Sequence, residues 1–248
     1  MDIKRVHEKE NVSKYLVKGT NHIFLNTLRR AIMTKVPCLA IDSVHIYEND
    51  SVIFDEMLAN RLGLLPVKTD VKSYKIGDTV KLVLEKTGPG VVTSKDIKCT
   101  DPKIEIIDKK IILTKLGKEQ NLKMEMTAVM STGEVHAKFQ PAIVSYNEIV
   151  EINNDKSYDT KAILAEMPKG SVEVKAGKLF FSDPYNTDHQ NQHMDILRKH
   201  GVSVDFNKTD FILSIETTGQ LTAKELLEAA VDQVVARLDE VEEQLKKL

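Results

Sequence analysis

Apolar residues recur at helical spacing in two stretches of this chain and at strand spacing in much of the rest. Phe24, Leu25, Leu28, Ala31 and Ile32 define one helical face. Thr20 and Asn21 stand ahead of it as polar caps and the Val36-Pro37 step closes it, which predicts about four turns. At about 100 degrees per residue the face centres near Leu28, so Arg29 lies on its flank and Arg30 nearly opposite. The second helix opens at Thr222-Ala-Lys-Glu225, a capping box, and is expected to reach Leu248, about 40 Å at 1.5 Å per residue. Leu227, Val231, Val234, Leu238, Val241, Leu245 and Leu248 follow in alternating steps of four and three, a heptad a/d seam. Asp232, Arg237, Glu240, Glu242 and Lys246 flank it. Strands of a small sheet span roughly 20 Å, so the first half of the seam is expected to pack on the chain's own sheet and the distal half on another chain.

Residues 3–6 and 12–17 read as two strands joined by a polar turn, with Tyr15 and Val17 on one face and Leu16 on the other. Residues 39–47 read as a return strand, and residues 54–66 as a short helix with carboxylates in its first turn and Gly63 and Pro66 at its end. From 67 to about 149 short β-rich runs dominate, at 80–84, 104–107, 111–113 and the alternating Leu122, Met124, Met126, Ala128 and Met130. Thr87-Gly-Pro-Gly90 and Asp101-Pro102 separate them as turns. Mixed material resumes near Ile163, with a hairpin at 172–174 and 179–181 around Ala176-Gly177. A polar, His-rich loop at 183–201 and a last strand through Phe211, Leu213 and Ile215, ended by Gly219, complete the chain. The fold class is α+β, with a mostly β region inserted into a unit of small antiparallel sheet and helices.

The chain has 248 residues, 42% hydrophobic and 29% charged, enough to bury a substantial core. A net charge of −2 provides no global basic field for nucleic acid. Cys38 and Cys99 are the only cysteines, too few for a disulfide framework, and no apolar run approaches a membrane span. The first residues, Met-Asp-Ile-Lys-Arg-Val-His-Glu, lack the apolar core of a signal peptide, so a cytoplasmic location is expected.

Asp183, Asp188, His189, His193, Asp195 and His200 make the one candidate metal constellation. His189 and His193, four apart, would share a face if that stretch were helical. No Glu follows His189 as in a metalloprotease motif, and an exposed polar loop explains the same residues. Gly88-Pro-Gly90 superficially suggests a phosphate loop, but Pro89 removes a donor and no Lys-Ser or Lys-Thr opens a helix after it. No nucleophile elbow or paired-carboxylate motif is visible.

Several stretches resemble one family in the same order: Phe24-Leu-Asn-Thr-Leu-Arg-Arg-Ala-Ile32, Val36-Pro37, Ala40-Ile-Asp42, Glu48-Asn-Asp-Ser51, Asp55-Glu56 and Arg61-Leu-Gly-Leu-Leu-Pro66. Gly88-Pro-Gly-Val-Val92 and His136-Ala-Lys-Phe-Gln-Pro141 continue the likeness, with Phe139 where the family usually has Trp. The family is that of the archaeal RNA polymerase D subunit, with its relatives the eukaryotic third-largest subunit and the N-terminal domain of the bacterial alpha subunit.

The resemblance implies a discontinuous dimerisation domain of residues 1–48 and 150–248, an inserted β domain of residues 49–149, and a degenerate iron-sulfur-type subdomain at 167–210. It implies a non-catalytic assembly subunit of DNA-directed RNA polymerase, paired with small subunit L through two helices from each chain. The pair would nucleate the large catalytic subunits, the large B subunit among them, with subunits N and P also bound and DNA met only through the whole complex. The expected partner interface is Phe24, Leu28, Arg29, Arg30, Leu227, Val231, Val234, Leu238, Val241 and Leu245. Many family members carry an iron-sulfur cluster on four cysteines, but this chain has no cysteine after Cys99 and Met167-Pro-Lys-Gly170 where a Cys-Pro step often stands. Without thiolates the cluster is expected to be absent. The alternatives are a small metal-dependent enzyme using His189, His193 and Asp195, or a free-standing nucleic-acid-binding module.

Overall fold

The computed structural model describes residues 1–186 and 190–247. In order these form β1 (Asp2–Lys9), β2 (Val12–Lys18), α1 (His22–Thr34), β3 (Pro37–Asn49), α2 (Asp55–Gly63), β4 (Thr79–Thr87), β5 (Gly90–Thr93) and β6 (Ile97–Cys99). Then come β7 (Ile112–Leu116), β8 (Asn121–Thr132), β9 (Ala142–Ile152), α3 (Thr160–Glu166), β10 (Val172–Lys175), β11 (Lys178–Phe181), α4 (Gln190–Lys199), β12 (Val204–Thr217) and α5 (Ala223–Leu245). They gather into two compact units, residues 1–26 with 144–215 and residues 27–143 with 216–248. The division runs through α1 and near the end of β12, and the sequence boundary expected at residue 48 falls inside β3.

The first unit holds a sheet in the order β1-β2-β12-β9. The inner strands are buried on both faces over Tyr15, Leu16 and Val17 of β2 and over Phe211, Ile212, Leu213 and Ile215 in the second half of β12, whose first half is open. An inner strand covered on both sides loses the alternation that a half-exposed strand shows. A satellite cluster of Ile163, Met167, Val172, Leu179, Leu197 and Val202 fills the space among α3, the β10–β11 hairpin and α4. The hairpin turn takes φ values of 50° at Ala176 and 76° at Gly177, the left-handed pair that a two-residue connection requires.

The second unit is built on the sheet β3-β8-β4-β6. β3 pairs antiparallel with β8 from Pro37 opposite Thr132 to Asn49 opposite Leu122. Val80, Leu82 and Leu84 on β4 and Leu122, Met124, Met126, Ala128 and Met130 on β8 face one core, and the residues alternating outward are polar except Val83 and Val129. Leu58 and Leu62 of α2 join that core.

Three expectations change here. Residues 104–107 form only an isolated bridge, Val67 to Ile106, because no neighbouring strand pairs with them further. Much of 183–201 is helix α4 rather than a loop, since Met194 and Leu197 bury one side of it. α5 ends at Leu245, and Leu248 lies outside the described residues.

A buried polar knot fixes where α5 begins. The Gln220 amide nitrogen donates to the Leu39 carbonyl at 3.0 Å, and its oxygen accepts from Cys38 Sγ at 3.2 Å and from the Thr218 hydroxyl at 3.0 Å. Thr69 completes it, its hydroxyl accepting from the Leu39 N–H at 3.0 Å and its own N–H donating to the Gln220 carbonyl at 3.1 Å. Burial pushes the Cys38 thiol up to about 11, so this cysteine acts as a packed, neutral group.

Candidate partner-docking surface

α5 presents an exposed apolar face. Its capping box forms as the sequence predicts, Thr222 Oγ1 accepting from the Glu225 N–H at 3.3 Å and the Glu225 carboxylate accepting from the Thr222 N–H at 2.8 Å. The Thr222 hydroxyl, which also donates to the Glu225 carboxylate at 2.7 Å, and then the Thr222 N–H hold that carboxyl below the usual carboxylate range. The helix does not bury the row that hydropathy suggests. Its buried residues are Ala223, Leu226 and Ala230, a row offset by one position from the seam.

The seam is therefore more open than expected. Leu227 and Val234 are half-buried, whereas Val231, Leu238, Val241 and Leu245 are exposed, Leu238 at 64%. The expectation that the first half of the seam packs on the chain's own sheet is corrected at Val231. Alanines at the buried row allow close approach there and turn the larger Val and Leu outward. Val235, also exposed, widens the stripe on one flank. A continuous apolar stripe over four turns costs solubility unless something covers it.

α1 presents a smaller surface. The Asn21 side-chain oxygen accepts from the Phe24 N–H at 2.9 Å, and His22 stacks edge-on to Phe211 with ring centres 4.9 Å apart. Leu25, Leu28, Ala31 and Ile32 turn inward. Leu28, at 5% exposure, serves the chain's own interior and is unavailable to a partner. Phe24 is partly exposed, Arg30 is exposed, and Arg29 is half-buried with its guanidinium 3.6 Å from the Met33 sulfur. Flank and opposite face thus fall where the helical arithmetic puts them.

The described residues of the His-rich stretch engage separate partners. Asp195 lies 3.6 Å from Arg198, His200 lies 3.3 Å from Glu166, and Asp183 accepts from the Tyr185 N–H at 3.0 Å. His193 stands beside the Phe181 ring, with centroids 6.3 Å apart. Asp188 and His189 lie outside the described residues. Among the described residues no three His, Cys, Asp or Glu side chains come together as a metal site. No helix among them is long and apolar enough to cross a membrane.

Residues 44–152 match the RNA polymerase Rpb3/RpoA insert domain family. The chain is 32% identical to the DNA-directed RNA polymerase subunit Rpo3 of Natronomonas pharaonis over 245 residues, 98% of this chain and 96% of that one. The Rpo3 family is its family. The Rpo3 of Halobacterium salinarum is 33% identical over 248 residues, covering 98% of this chain and 96% of its own. That of Pyrococcus furiosus is 29% identical over 266 residues, covering 100% and 98%. The Rpo3 likeness thus runs from end to end, and the α+β expectation agrees with the helices and small sheets seen here. Neither the metal-enzyme reading nor the nucleic-acid-module reading gains support from these relatives.

The stretch 167–210, which the resemblance likens to an iron-sulfur subdomain, contains no cysteine. Both cysteines of the chain, Cys38 and Cys99, belong to the second unit, whereas residues 163–202 are packed around Ile163, Met167, Val172, Leu179, Leu197 and Val202. That donor set does not fit a thiolate-bound cluster.

Proposed function

We propose that this chain is a non-catalytic assembly subunit of DNA-directed RNA polymerase, which acts by burying the α5 seam against small subunit L. The exposed stripe of Val231, Leu238, Val241 and Leu245 carries the reading, because its heptad spacing suits a second helix. The resulting pair offers its composite surface to the large B subunit, with subunits N and P bound beside it. DNA is met only through the whole complex, in the cytoplasm. Stoichiometric co-purification of the chain with a polymerase core tests this, and a chain that purifies alone from cells making all partners would overturn it.

Arg29 and Arg30 belong to the capture of the large subunits. A guanidinium holds a carboxylate or several carbonyls at once, and a desolvated Arg at an interface can dominate affinity. Replacing both with Ala is expected to change the chain's stability by less than about 1 kcal/mol while weakening large-subunit capture. Reconstitution of polymerase from purified subunits checks this; assembly at the wild-type level would remove the two residues from the interface.

The protein purified without oxygen is expected to hold neither iron nor acid-labile sulfide, since its cysteines supply no four-thiolate set. Elemental analysis reads the result, and stoichiometric iron with sulfide would refute it. Should the residues at 189–193 bind any metal, zinc on His189 and His193 is the species their chemistry suits.

A further inference from the structure

In the β3–α2 connection and the first turn of α2 three large apolar side chains are exposed. Val52 is 86% exposed, Phe54 74% and Met57 60%, while Ile53 between them packs against the core of its unit. On a slack loop such residues would fold away against the nearest apolar surface. This loop is braced instead. The Asn49 side-chain nitrogen donates to the Ile53 carbonyl at 3.0 Å and to Asp55 Oδ1 at 2.6 Å, and its oxygen accepts from the Ser51 N–H at 3.1 Å and hydroxyl at 2.7 Å. The Asp50 N–H donates to the Asn121 carbonyl at 3.0 Å and its carboxylate accepts from the Asn121 N–H at 2.9 Å, tying the loop to β8.

The bracing means that docking here forfeits little loop entropy, which is what an anchor residue requires. Phe54 and Met57 are three residues apart at the start of α2 and so share a side of it. Aromatic and methionine side chains are the ones enriched at interface centres. Glu48, Asp50, Asp55 and Glu56 neighbour them in sequence, and residues 48–57 contain no cation. An apolar anchor on a segment that carries four carboxylates and no cation is complementary to an apolar pocket with a basic rim.

We propose that residues 48–57 form a second docking surface, using different residues from the α5 seam, which inserts Phe54 into an apolar, basic-rimmed pocket of another polymerase subunit. The identity of the occupant as a subunit of that complex rests on the function proposed above; its chemistry rests on the loop itself.

Hydroxyl-radical footprinting of the full chain, free and within reconstituted polymerase, tests the proposal. Oxidation of Phe54 and Met57 is expected to fall about tenfold on assembly. Phe54→Ser with Met57→Ser should release the chain from the complex at least tenfold more readily, and rising salt should weaken the wild-type contact. Asn49→Ala keeps the apolar side chains but loosens the loop, and should give a smaller loss of the same kind. Incorporation with Phe54 and Met57 labelled as in the free chain overturns this inference and leaves the proposed function standing. A chain that never enters the polymerase overturns both. A free chain of twice the monomer mass, restored to monomer by Phe54→Ser, makes a second copy the occupant and also overturns it.

Discussion

Leu238→Asp is expected to separate the chain from subunit L while leaving its own fold in place. The side chain is 64% exposed in the free chain, so the substitution removes little internal packing. Against a partner helix the same residue becomes a packed leucine, whose loss costs about 2 to 5 kcal/mol. Burying an unpaired carboxylate adds several kcal/mol more or forces the group to stay protonated. At about 1.4 kcal/mol per tenfold, the lower figure alone weakens pairing roughly 30-fold. Glu240→Ala is the control, since Glu240 lies off the seam and its 3.5 Å contact with Arg237 is an exposed pair worth at most about 1 kcal/mol. Co-expression with subunit L followed by size-exclusion chromatography should show the first variant eluting alone and the second as a heterodimer. Circular dichroism of the Leu238→Asp monomer should match the wild type. Continued co-elution at low micromolar concentration would move the contact to α1.

Gln220→Ala is expected to be the most destabilising of the single polar substitutions in the second unit. Its side chain is 4% exposed and holds the Leu39 carbonyl, the Cys38 thiol and the Thr218 hydroxyl together. Truncation leaves the Leu39 carbonyl buried without its side-chain partner, at about 1 to 3 kcal/mol, and empties the space the side chain filled, while the Thr218 hydroxyl keeps the Pro141 carbonyl at 3.0 Å and Cys38 keeps the Thr69 hydroxyl at 3.4 Å. A net loss of about 2 to 4 kcal/mol lowers the melting temperature by roughly 4 to 16 °C in a chain of this size. Gln244→Ala, at an exposed position of α5, should change it hardly at all. Calorimetry of the two variants decides the matter, and a Gln220→Ala melt within about 2 °C of wild type would show that the knot is dispensable.

The elements that the sequence alone determined are those set by local chemistry. The Thr222-Glu225 box, the Asn21 cap before Phe24, the Ala176-Gly177 turn and the alternation along β4 and β8 each depend on residues a few positions apart, and each forms where the spacing puts it. The heptad seam is legible for the same reason. Tertiary structure decided what covers each face. β2 and the second half of β12 are buried on both sides because of their neighbours, which no period-two pattern within one strand can record. α4 was hidden because its polar composition outweighs two buried residues, Met194 and Leu197. On α5 the row turned inward is Ala223, Leu226 and Ala230 rather than the more hydrophobic seam, a choice made by how closely a helix can approach its neighbours. The bracing that presents Phe54 depends on Asn121, more than sixty residues away, and a contact at that separation leaves no trace in the local pattern.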